Sequence, residues 1–300
     1  MRKILGRSMS RIHALIETQE FATLPPVAAK VLSMLEDDNA DIRDISKAIE
    51  ADPALTLKLL RVANSPLYAT RNEVNTIHQA ILTLGLSRLM NIVLGVSIFS
   101  KFIMNAHSQA KPLMEAFWWH ASCTGIVAKS LATKIHRSYK ENEFIGGLLH
   151  DIGKLAMLQF DVRKYYQVVE LVEYQGLLDV EAEMRIFGAT HAEVGAEIAK
   201  LWKLPQELTS VISGHTVPSE SERFNELIAV VRLADLLCEV WGAGFFEGVK
   251  YLSVAEHDAW KTLANANPTL QTLDVEKFTF ELEADYKKST EFLNILVSPN

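Results

Sequence analysis

The sequence predicts an all-α protein. Helical periodicity runs through nearly the whole chain, and helix-start signals recur at short intervals. No segment alternates apolar and polar residues between tight turns for any length. The 300 residues carry 49% apolar and 22% charged side chains. That composition can build one large core or two modest ones, and it excludes disordered and fibrous classes.

The elements follow from their punctuation. Pro25 and Pro26 open a helix over about residues 27–36, because proline suits a first turn. Asp41 caps a second through Ile42, Ile45 and Ile49. Asp52 and Pro53 start a third, DPALTLKLLRVAN, which Asn64, Ser65 and Pro66 end. Thr76 caps a fourth that stops at Gly85. A long apolar helix is expected over 87–103 and another over 112–135. Residues 141–160 read as one helix with Gly146, Gly147 and Gly153 embedded. Each glycine costs about 1 kcal/mol against alanine, so three together predict close packing or a local break. Shorter helices are expected over 161–174 and 180–187. Thr190 with Glu193 forms a capping box for a helix ending near Trp202. Pro205 restarts the chain toward His215, and 221–240 is amphipathic. The stretch 242–248 reads as a loop, with weaker helical patterns over 255–264, 275–282 and 285–296.

Charge and cysteine usage narrow the partners. The net charge of −7 and the lack of a basic stripe argue against a nucleic-acid or anionic-membrane partner. Cys123 and Cys238 lie in apolar helical patterns and read as buried thiols. The N-terminus has no apolar signal core. The most apolar stretch, residues 91–104, is interrupted by Lys101 and is too short to span a bilayer. The expectation is a cytoplasmic protein.

Chemistry concentrates in histidines. His13, His78, His107, His136 and His257 are isolated and read as ordinary surface or helix-end residues. The other four form a series with two aspartates: His120, the adjacent His150 and Asp151, His191, His215 and Asp235. Each falls in or at the end of a predicted helix. Helix bundles build metal sites from such inward-facing ligands. Imidazole plus carboxylate suits Fe, Mn, Zn or Ni rather than Ca. Lys154, one turn after His150, would lie on the same face and could contact a phosphate. The alternative is a polar cluster satisfied by its own hydrogen bonds. No P-loop, GxGxxG or nucleophile motif competes, so no organic cofactor is expected.

Two sets of residues carry a family resemblance. Leu24-Pro25-Pro26, the string from Asp52 to Ser65, and Ile77 to Gly85 resemble the N-terminal half of the HDOD family of bacterial signalling proteins. The histidine series resembles the HD and HD-GYP metal phosphohydrolases. On that resemblance His120 is the leading histidine, His150 and Asp151 the HD pair, and Lys154 the lysine that follows. His191 and His215 are the next histidines and Asp235 the closing aspartate. The departure is Thr216, where the HD-GYP pattern has a second histidine; the GYP signature is also missing. The resemblance implies an HD-like helical bundle with an N-terminal lobe. Its expected division is an extension over 1–17, an HDOD lobe over 18–105, an HD-like lobe over 106–242 and a C-terminal extension over 243–300.

Three functions compete on these residues. The first is a regulatory module acting through protein partners or a small phosphorylated ligand, with a vestigial or structural metal site. The second is a metal-dependent phosphohydrolase for a cyclic dinucleotide or nucleotide. The third is a domain whose polar cluster only packs. Beyond Lys154, cationic candidates such as Arg185 are few, and that favours the regulatory reading.

Overall fold

The computed structural model describes residues 12, 16, 24–35, 41–65, 68, 72–103, 110–217 and 224–286. Among them every regular element is helical. The N-terminal lobe comprises α1 (Pro26–Leu35), α2 (Ile42–Glu50), α3 (Pro53–Ala63), α4 (Ile77–Leu84) and α5 (Leu86–Ile103). The sequence signals act as expected. Asp41, Asp52 and Thr76 each cap a helix through a side-chain oxygen, and Gly85 ends α4 at φ 88°. The Asn64 amide donates to the carbonyls of Leu60 and Val74 and accepts from the Val74 N–H, which ties the end of α3 to the chain before α4.

The second part runs through α6 (Lys111–Lys134), α7 (Asn142–Leu149), α8 (Ile152–Phe160), α9 (Val162–Gln175), α10 (Asp179–Ile186), α11 (His191–Leu201), α12 (Gln206–Gly214) and α13 (Asn225–Cys238). The Thr190–Glu193 capping box heads α11. After α13 comes a π-helical turn, Glu239–Ala243, which runs from the end of the expected amphipathic helix into the start of the expected loop. Two further helices follow, α14 (Asp258–Ala266) and α15 (Val275–Tyr286). They close over α6 and α13 through Trp260, Phe278 and Leu282 in a second apolar cluster.

The expected division at 105/106 lies outside the described residues, as do His13, His107 and most of the weak pattern over 285–296. One buried core joins the two parts, from Ile45 and Leu59 through Phe117 and Trp118 to Phe245. A polar clamp adds to it. Glu141, 1% exposed, accepts from the Tyr68 hydroxyl at 3.1 Å and from Lys129 at 2.9 Å, and it pairs with Arg88 at 3.1 Å. Among the described residues no helix is long and apolar enough to cross a membrane.

Candidate metal centre

One expected helix is two. Residues 141–160 break at His150 and Asp151, the C-cap of α7 and the N-cap of α8. Asp151 sits at φ −97°, ψ 16°, outside helical geometry. On an unbroken helix these neighbours would diverge by about 100°. The break turns both inward.

Close backbone approaches bring in the other segments. A Cβ on Gly147 would lie 2.6 Å from the Gly125 Cα, so α7 nests directly on α6, which carries His120. A Cβ on Gly153 would collide with the His191 carbonyl oxygen, so α8 nests on the start of α11. The embedded glycines therefore serve packing at the site. His215 caps the end of α12 and Asp235 projects from α13. All six expected ligands converge, and each is 0–3% exposed.

The six divide around Asp151. On one side, His120 Nε2 lies 3.3 Å from His150 Nε2 and 3.2 Å from Asp235 Oδ1. His150 Nε2 is 3.4 Å from Asp151 Oδ2. On the other side, Asp151 Oδ1 is 3.3 Å from His191 Nε2 and 3.4 Å from His215 Nε2, which are 3.1 Å apart. Ligands held about 2.1 Å from an ion stand ~3.0 Å apart on an octahedral edge and ~3.4 Å on a tetrahedral one. The measured separations lie in or close to that interval.

The tautomers point the same way. His120 Nδ1 is 2.8 Å from the Ala243 carbonyl, His150 Nδ1 2.7 Å from that of Gly147, and His215 Nδ1 3.1 Å from that of Ile212. A carbonyl only accepts, so each Nδ1 carries the proton and donates it. His191 Nδ1 is held by Glu183 at 2.8 Å. In the neutral rings every Nε2 then presents a lone pair inward. Lone pairs facing at about 3 Å repel unless a cation lies between them, and such outer hydrogen bonds are how metal-binding imidazoles are oriented. The donor set fits a divalent transition ion.

Charge is divided unevenly in the metal-free state. Burial opposes protonation of His150, but Asp151 and Asp235 outweigh it and hold the ring up to about 10. Burial, reinforced by His150 and His191, pulls His215 down to about 4 despite Asp151. Against the cost of burial, His150, Lys154 and His191 hold the Asp151 carboxyl well below its usual range. A proton on His150 thus occupies the place a cation would take, and Glu183 raises the His191 ring as well, against its burial.

A model of the HDOD domain matches residues 21–218. The chain belongs to the HDOD family. A Treponema pallidum protein of uncharacterised role is 25% identical to it over 218 residues, 71% of this chain and 42% of that relative. The HDOD chain thus spans under half the length of this curated relative. An HDOD domain protein of unknown function from Geobacter sulfurreducens superposes with a TM-score of 0.72 at 24% identity, covering 94% of this chain and 98% of its own. A Shewanella amazonensis SB2B protein named as a candidate phosphohydrolase superposes at 0.69 with 23% identity, covering 95% and 98%. These two likenesses establish the fold.

The HDOD site includes residues the sequence reading missed. Glu183 is fully buried and accepts both the backbone N–H and the ring of His191. Arg232 pairs with Asp235 at 2.9 Å and with Glu247, which the glycine-rich stretch folds inward. The only signals for them are acids at apolar positions of α10 and the i,i+3 spacing of Arg232 and Asp235. Lys154 is 3% exposed and lies between Asp151 at 2.9 Å and Asp179 at 2.7 Å. Arg185 is exposed, and Thr216 is half-buried in the turn after α12.

Proposed function

We propose that this HDOD protein is a regulatory module whose His/Asp centre holds one or two divalent transition ions, Fe, Mn, Zn or Ni, as a structural and regulatory staple. The observation that carries the reading is closure. All six ligands are at most 3% exposed. The two cations beside them, Lys154 and Arg232, are each held by two carboxylates. Turnover of an anionic phosphoester needs an open coordination position and cations that are not already neutralised.

A bound ion would act as a Lewis acid and a source of charge at the junction of five segments. The chain's own residues perform the rest. His120, His150 and Asp235 would hold one ion, His191 and His215 a second, and Asp151 would face both. Glu183 and the carbonyls of Gly147, Ile212 and Ala243 fix the ring orientations. The module's output would pass through protein partners contacted by the N-terminal lobe.

Asp151, shared by both halves, supports a second reading: a metal-dependent phosphohydrolase, since paired metals suit in-line displacement at phosphorus. Metal content of purified and Mn- or Fe-reconstituted protein, followed by a phosphodiesterase assay, tests both readings. Bound metal without turnover is the expected result. Turnover abolished in Asp151→Ala would replace the regulatory reading with the enzymatic one. Protein that takes up no metal would sink both.

A further inference from the structure

A cavity of 260 Å³ lies in the N-terminal lobe, between the start of α1, the first turns of α3 and the second half of α5. It shares no lining residue with the His/Asp centre. Its walls are divided by chemistry. Pro25, Pro26, Val27 and Leu55 form an apolar side, and Lys58, Ser97, Ser100 and Lys101 form a polar side with Asp52 at the rim.

The polar side is incompletely satisfied. Lys58 is only 8% exposed, yet no carboxylate among the described residues lies within ion-pair distance of its ammonium. Its one hydrogen bond among the described residues runs to the Ser100 hydroxyl at 3.2 Å. An ammonium has three donors, and burying one without an anion is costly. Ser97 is 6% exposed, and its hydroxyl has no hydrogen-bond partner among the described residues. Buried polar groups are nearly always satisfied. Here a desolvated cation and an unpartnered hydroxyl line the same small space.

We propose that this cavity binds a small organic carboxylate, its anionic head on Lys58 and Ser97 and its short apolar body against Pro25, Val27 and Leu55. The single Lys58 ammonium on this wall, opposed only by the more distant Asp52, matches a monoanion better than a phosphate dianion. The volume lies near the lower limit of about 300 Å³ for ordinary ligand pockets, so the occupant is small. Burial draws the Lys58 ammonium down from its ordinary range, with Asp52 opposing. A bound anion would restore it. Such a site would give the module an input of its own, and the inference stands whether or not the His/Asp centre holds metal.

Calorimetric titration of the full chain with butanoate, butyl phosphate and inorganic phosphate is the test. Butanoate is expected to bind saturably at millimolar concentration, with equal affinity with and without chelator. Lys58→Met should weaken it about tenfold or more, the loss of one charge-assisted bond. Lys58→Arg should restore most of it, and Ser97→Ala should weaken it several-fold. Ser97→Ala removes one oxygen, so it tests the site even if Lys58→Met fails to fold. The proposal is overturned if butanoate does not bind the wild-type chain or if Ser97→Ala binds it unchanged. Loss of binding on chelation, or preference for either phosphate, overturns it equally.

Discussion

His120 Nε2 stands 3.3 Å from His150 Nε2, and each ring has directed its Nδ1 proton to a backbone carbonyl. Two imidazoles so arranged cannot both be neutral and at rest. Either a proton or a cation must sit between them. Because burial and the two aspartates set which, this contact links the centre's protonation to its occupancy.

Uptake of metal should therefore release a proton. His150 is held up to about 10, so near pH 8 it carries the proton that a metal must displace. Titrating Mn into chelator-stripped protein, in buffers of different ionisation enthalpy, should report about one proton released per first ion. Apparent affinity should fall by up to about tenfold per pH unit as pH is lowered through that region. Release of no proton would show that His150 is neutral before binding.

The two halves of the centre should separate by mutation. His215→Ala removes a proposed ligand from one half only, and Asp151→Ala removes the carboxylate that faces both. Elemental analysis of reconstituted protein should find His215→Ala retaining occupancy at the His120 half, while Asp151→Ala loses most of its metal. Wild-type occupancy in Asp151→Ala would mean that the carboxylate is not a ligand.

Packing should be as sensitive as chemistry. Gly147→Ala forces a methyl to within 2.6 Å of the Gly125 Cα, and backbone must move to accept it. Overpacking of this kind costs about 1–3 kcal/mol. Thermal unfolding should show that loss, and metal affinity should fall with it because His120 and His150 lie on the two displaced helices. Wild-type stability would contradict the close approach of α6 and α7.

A pH dependence of folding should come from Glu143, away from the metal ligands. Burial raises its carboxyl to about 7, with Glu141 adding to the rise and Lys129 and Arg88 opposing it. The folded state thus holds this proton more tightly than the unfolded chain, where the group titrates near 4.5. Its contribution is fully present below about 4.5, is lost as pH rises through about 7, and is level above. The slope is at most about 1.4 kcal/mol per pH unit, the value for one proton. Denaturant unfolding of Glu143→Gln should lack this slope and be more stable than wild type at pH 8. Parallel pH profiles would show that Glu143 titrates normally.

Much of the molecule was legible from local signals. Asp41, Asp52, Thr76 and the Thr190–Glu193 pair act within one helical turn, so sequence alone places their helices. The candidate ligands are likewise readable, because apolar helices seldom carry His and Asp without purpose. Glu183, Arg232 and Glu247 were not. Glu183 reaches His191 through a chain reversal and Glu247 reaches Arg232 through a folded-in loop, and no periodic pattern encodes those; Arg232 and Asp235 stand at i,i+3 on α13, a spacing too common to single them out.

The sequence by itself determined that the chain is helical, where most helices begin, and which six residues could hold an ion. Tertiary structure decided that they meet. Residues 141–160 read as one helix whose three glycines left close packing or a local break open, and the folded chain has both: the glycines contact α6 and α11, and the chain turns at His150 and Asp151. It also decided that Lys154, read from spacing as free to meet a phosphate, lies between Asp151 and Asp179. A buried ammonium takes the nearest carboxylates that packing provides, and only the folded chain determines which those are.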